Sequence, residues 1–167
     1  MGKPWQPMNM RSFDLQFDKM EKETAAYMVA VLKKTAQACF MNILETDDPP
    51  FKTGSYMASH RIGVNIENTS DTVFHTVGVL SLENAIKRSA TELPKLAAVN
   101  SVSDTVTISN SVGYSTKYGF SWAAKVEYLG WGGTGPYLVY EKAVEKTMRQ
   151  LPNIAKTISI TDIKVVE

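Results

Sequence analysis

Residues 19–44, KMEKETAAYMVAVLKKTAQACFMNIL, decide the fold. Within this stretch Ala25, Met28, Leu32, Ala36, Cys39 and Ile43 recur at helical spacing, which places them along one stripe of an α-helix. Tyr27, Val31, Phe40 and Leu44 add a second apolar flank. A helix of this length runs about 39 Å at 1.5 Å per residue, more than the core of a small domain needs. The second flank is therefore expected to face another subunit, with Tyr27, Val31, Phe40 and Leu44 as candidate interface residues. Propagation stops at Thr46-Asp47-Asp48-Pro49-Pro50, because each proline disfavours helical geometry in the residue before it and offers no amide donor.

Upstream, residues 1–12 carry Pro4 and Pro7 without periodicity and read as an extended arm, leaving 13–167 as a single domain. Downstream, Thr53 can cap a short turn that carries Tyr56 and Met57 to the core. Arg61–Glu67 alternates as a strand with Ile62, Val64 and Ile66 inward, Thr72–Leu80 is a second β run, and Asp104–Asn110 is a third. Between them Ser81 starts a segment that reads as a short helix broken near Pro94, or as a surface excursion. Ser121–Tyr128 has helical spacing with Trp122, Val126 and Leu129 on one side. The glycine-rich loop 130–135 follows, and Pro136 suits the first turn of a helix running to about Leu151. That helix has Tyr137, Tyr140, Ala143, Val144, Thr147, Met148 and Leu151 as its apolar face. Thr157–Val166 alternates as a closing strand.

A chain of 167 residues with 44% apolar and 21% charged residues can bury a core without staples. Its net charge of +1 gives no electrostatic footprint for nucleic acid or an anionic membrane. The first residues lack a signal-peptide run, no long apolar span occurs, and Met-Gly-Lys-Pro lacks the Ser or Thr of a myristoylation signal. A cytoplasmic, membrane-free protein is expected. The single Cys39 sits in an apolar helical pattern and reads as a buried thiol.

The motifs of catalysis are missing. His60 and His75 form no HExxH or HxH pair, no GxSxG elbow exposes a serine, and Asp47-Asp48 before two prolines reads as a solvated turn. The loop at 130–135 has no lysine to reach a phosphate, and Pro136 removes an amide, so it is not a P-loop. No enzyme, metal or cofactor is expected. Tyr114, Tyr118, Trp122, Tyr128, Tyr137 and Tyr140 cluster around Trp131, which lies between glycines with little local scaffold. Aromatics of this kind concentrate at interfaces, so Trp131 and Tyr137 join the interface candidates.

The order of these pieces resembles the neck or tail-completion (head-tail connector) proteins of tailed bacteriophages. The resemblance rests on Thr53, Gly54 and Ser59 after the first helix, and on Ala123, Glu127 and Gly130 before a glycine-rich loop. Lys52 stands where that family usually has aspartate, Tyr56-Met57 replaces its leucine pattern, Leu129 intrudes before Gly130, and 81–103 looks like an insertion relative to the family. The resemblance implies an α+β subunit, a small antiparallel sheet packed against the long N-terminal helix, with a second helix near the C-terminus. It also implies a virion protein at the head-tail junction, repeated as a ring through which DNA passes unread, with neighbouring neck, connector or tail proteins as partners. A closed ring requires two different self-adhesive faces on each copy. Rival readings are a tail terminator or tail-tube component, and a small-molecule or nucleic-acid binding module that uses the aromatic cluster with Arg61 or Lys125.

Overall fold

In the computed structural model, the helix read from 19–44 begins nine residues earlier: α1 spans Met10–Leu44 and is about 52 Å long. The description covers residues 10–51, 54–66, 79–110, 114–115, 120–130 and 134–158, with backbone alone at 10–13, 114–115 and 120–122. The last three residues of the expected arm, Met10 to Ser12, are thus helical, and 1–9 lie outside the described residues.

The chain is α+β. After α1 come β1 (His60–Val64), α2 (Leu82–Ala90), a 3-10 helix (Leu93–Ala98), β2 (Val106–Asn110), the short strands β3 (Tyr114–Ser115) and β4 (Phe120–Ser121), α3 (Trp122–Leu129) and α4 (Val139–Thr157). β1 and β2 pair antiparallel with Ile62 opposite Ile108, and β3 pairs with β4. Ile66, expected inward, is exposed, because β1 ends at Val64 and Asn65 turns into the left-handed region at φ 58°. The β run expected at 72–80 and the strand expected at 157–166 fall largely outside the described residues. Thr157 itself closes α4.

The C-terminal half of α1 is covered on two sides by its own chain. Ala36, Phe40 and Leu44 pack with Ile62 of β1 and Leu96 of the 3-10 helix, while Ile43 joins Met57, Ala85, Val126, Val139 and Ala143 in a second cluster. On another side of α1, Asn42 Nδ2 donates to Thr147 Oγ1 and to Gln150 Oε1 of α4, both at 2.9 Å, and Tyr27 Oη donates to the Ala155 carbonyl at 3.1 Å. Segment 81–103 is part of this core and not a surface excursion: Ser81 caps α2 by accepting from the Asn84 amide, and Ala85, Ser89 and Val99 are fully buried.

α4 starts at Val139 and not at Pro136, because Tyr137 and Leu138 are held back. Their amides bond to the Val126 and Glu127 carbonyls at the end of α3, and Leu138 adopts φ 50°. Those bonds satisfy carbonyls that a helix end leaves open. The helix then runs past Leu151 and through Pro152 to Thr157.

Candidate functional site

The six interface candidates separate into three groups. Phe40 and Leu44 are 0% and 1% exposed, so the expectation that they face another subunit is corrected. The error is physical: helical spacing identifies an apolar flank without saying which element covers it, and here β1 and the 3-10 helix do. Tyr27, Val31 and Tyr137 are half-buried, Tyr27 through its bond to Ala155 and Tyr137 against the Ile43 cluster. Trp131 lies outside the described residues.

The largest exposed apolar side chains on α1 lie elsewhere on the same helix. Every described side chain from Asp14 to Thr24 is exposed, including Leu15 at 68% and Met20 at 64%, and Met28 follows at 54%. Met28 had been assigned by spacing to the core stripe. At 100° per residue, Leu15 continues the side of α1 that carries Phe40 and Leu44, whereas Met20 continues the side that carries Tyr27 and Val31. Both flanks thus run on beyond the elements that cover them, and the first half of α1 forms a spur. Further exposed apolar residues are Tyr128 and Leu129 on α3, and Val144 and Met148 on α4. Of the faces assigned by sequence spacing, Val126, Ala143 and Thr147 are buried, while Leu129, Val144 and Met148 are exposed; Ala123, Glu127 and Val139 complete the buried stripes.

A polar cluster that sequence reasoning missed lies inside the domain. Tyr56 Oη donates to the Glu127 carboxylate, His60 Nδ1 lies 2.9 Å from Tyr140 Oη, and Asn110 Nδ2 donates to the Tyr56 carbonyl at 2.9 Å. Asn110 Nδ2 also lies 3.4 Å from His60 Nδ1. That amide can only donate, so Nδ1 is assigned as acceptor and Nε2 carries the proton. His60 Nε2 is buried without a hydrogen-bond partner. Burial, reinforced by the neighbouring Arg61 charge, lowers the His60 pKa to about 3 and keeps the ring neutral. Burial, then the hydrogen bond and charge of Glu127, pushes the Tyr56 hydroxyl up; burial and then Glu127 do the same to Tyr140. These groups therefore stay protonated.

Beside this cluster, Glu92 accepts from the Ile62 amide at 3.1 Å and from Lys95 at 2.5 Å, and sits 4.0 Å from Arg61. Burial lowers the Arg61 pKa, and the Glu92 carboxylate opposes that shift. Arg61 is therefore buried and paired, not presented to a ligand. Burial likewise raises the Cys39 thiol pKa, against a Thr147 hydrogen bond.

The residues that carry the family resemblance serve the fold. Ala123 and Glu127 are buried, and Gly130 ends α3 at φ 77°, where an added Cβ would strike the Thr134 carbonyl. Gly54 sits at φ 79° against Leu80, and Ser59 Oγ donates to the Ser55 carbonyl at 2.6 Å. Thr53 lies outside the described residues. Among the described residues, no group of three or more His, Cys, Asp or Glu is placed to hold a metal, and no helix is long and apolar enough to cross a membrane. No family model, no curated protein and no solved structure matches the chain.

Proposed function

We propose that this chain is a non-enzymatic structural subunit that assembles with copies of itself into a ring, as a neck or tail-completion protein at the head-tail junction of a tailed phage. One observation carries the self-assembly part: the first half of α1 stands clear of the domain with Leu15, Met20 and Met28 exposed. A helix segment this short is marginal alone in water, so it persists here because the anchored half extends it, and burial of its exposed apolar side chains against a partner would be favourable. The phage station rests on the sequence resemblance. The titratable cluster around His60 supports the non-enzymatic reading, since His60, Tyr56 and Glu127 are closed off in the core.

Light scattering across a concentration series, followed by electron microscopy of the largest species, tests the reading. Closed rings of uniform diameter are the expected result. A chain that stays monomeric throughout the series contradicts it, and open filaments would favour a tail-tube station over a neck.

A further inference from the structure

Charge on the outer surfaces of α1 and α4 is sorted by face. On the spur, Asp14, Asp18 and Glu21 are exposed and recur at i, i+4 and i+7. At 100° per residue they fall within about 60° of one another and form a row about 10 Å long. Lys22 sits at the edge of that face, and Lys19 is turned further round, 3.8 Å from Glu23. On α4, Lys142, Lys146 and Arg149 are exposed and recur at the same spacing, so they form a row of the same width and length. Lys156 extends that side of α4 two turns further. Glu145 stands at its edge, 3.5 Å from Arg149, and Glu141 lies beyond. Both ion pairs join highly exposed side chains and hold weakly. Among the described residues, Asp14, Asp18, Glu21, Lys142 and Lys146 take part in no ion pair.

These two rows cannot neutralise each other within one molecule. Thr147, next to Lys146, is bonded to Asn42, and Glu21, the nearest of the three acidic residues, is about 32 Å from Asn42 along a continuous helix. Two acidic rows brought together repel, as do two basic rows. An acidic row laid on a basic row opposes three charges with three of the other sign. The match holds with the helices running in either sense, because reversing one row moves its middle charge by a single residue, about 1.5 Å.

We propose that the face formed by Asp14, Asp18 and Glu21 in one copy docks on the face formed by Lys142, Lys146 and Arg149 in another. This deepens the self-assembly reading above and rests on it, by naming the charges that select the partner surface. Exposed ion pairs contribute little one at a time, so the rows fix which surfaces meet more than they supply affinity. The two faces differ, so the contact passes from copy to copy and either closes as a ring or continues as a fibre.

The test reads mass by light scattering on the full chain. One variant reverses the spur row (Asp14→Lys, Asp18→Lys, Glu21→Lys), a second reverses the α4 row (Lys142→Glu, Lys146→Glu, Arg149→Glu), and a third combines all six. A control, Asp47→Lys with Asp48→Lys and Glu83→Lys, adds the same charge as the spur variant outside both rows. Circular dichroism checks that each stays folded, and Asp14→Asn, Asp18→Asn, Glu21→Gln replaces the spur variant if it does not. The expected result is that the native chain and the control assemble, each single-row variant is monomeric, and the combined variant assembles again. Native assembly should also weaken with added salt. A single-row variant that assembles like the native chain, a combined variant that stays monomeric, or a monomeric control would overturn the pairing while leaving self-assembly standing. A native chain that stays monomeric, and binds duplex DNA through the α4 row instead, would overturn both.

Discussion

The two halves of α1 belong to one unbroken helix and meet different fates. Between Ala36 and Leu44, four apolar side chains are buried on elements far along the chain; between Asp14 and Thr24, every side chain is exposed. Backbone geometry is the same in both, so the difference lies in what stands across from each. The anchored half faces α4 on one side and β1 with the 3-10 helix on the other. The spur continues both flanks after those elements have ended. Helical stability here comes from packed neighbours rather than from propensity, and the spur borrows its order from the half that has them.

The largest separation between the halves should come from truncating their apolar side chains. Phe40→Ala is expected to cost about 3–5 kcal/mol in urea unfolding, because the cavity is enclosed by Leu44, Ile62 and Leu96. A loss under about 1 kcal/mol would show that this half is not anchored as described.

Acid should loosen the anchored side as well, through His60. Its folded pKa, lowered to about 3, lies below the ordinary value of 6.5, so the unfolded chain takes up a proton that the folded chain refuses. The contribution is complete above pH 6.5 and declines as pH falls toward 3. Urea midpoints from pH 7 to pH 5, where few carboxylates titrate, should drop for the native chain and stay flatter for His60→Gln. Equal slopes would place His60 in contact with solvent.

Asn42→Ala removes the bonds that lock α1 to α4 and leaves Gln150 and Thr147 to find other partners. A loss of about 1–3 kcal/mol is expected. The smallest stability effect belongs to the spur: Met20→Ser should shift unfolding by less than about 0.5 kcal/mol, since the site is exposed. The same variant should lower the mass seen by light scattering. A stability loss comparable to that of Phe40→Ala would erase the distinction between the halves.

Much of the fold was legible because its signals are local. Spacing from Ala25 to Ile43 marked the long helix, Pro49-Pro50 its end, Ser81 the start of α2, and alternation the strands β1 and β2. What covers each face was not legible, because burial depends on elements distant in sequence. Phe40 and Leu44 carry the same apolar signal as Met20, and only the placement of the 3-10 helix and β1 separates them. The start of α4 was missed because the amides of Tyr137 and Leu138 serve α3. The polar cluster was invisible for the same reason: Tyr56 with His60, Asn110, Glu127 and Tyr140 come from four separate segments.

Hydrogen exchange of the α1 amides, read in dilute and in concentrated protein, tests the contrast most directly. Amides at 36–44 should be protected at both concentrations, while those at 14–24 should exchange fast when dilute and slow when concentrated. Protection at 14–24 that is already full in the dilute monomer, or that never changes with concentration, would contradict a spur awaiting another copy.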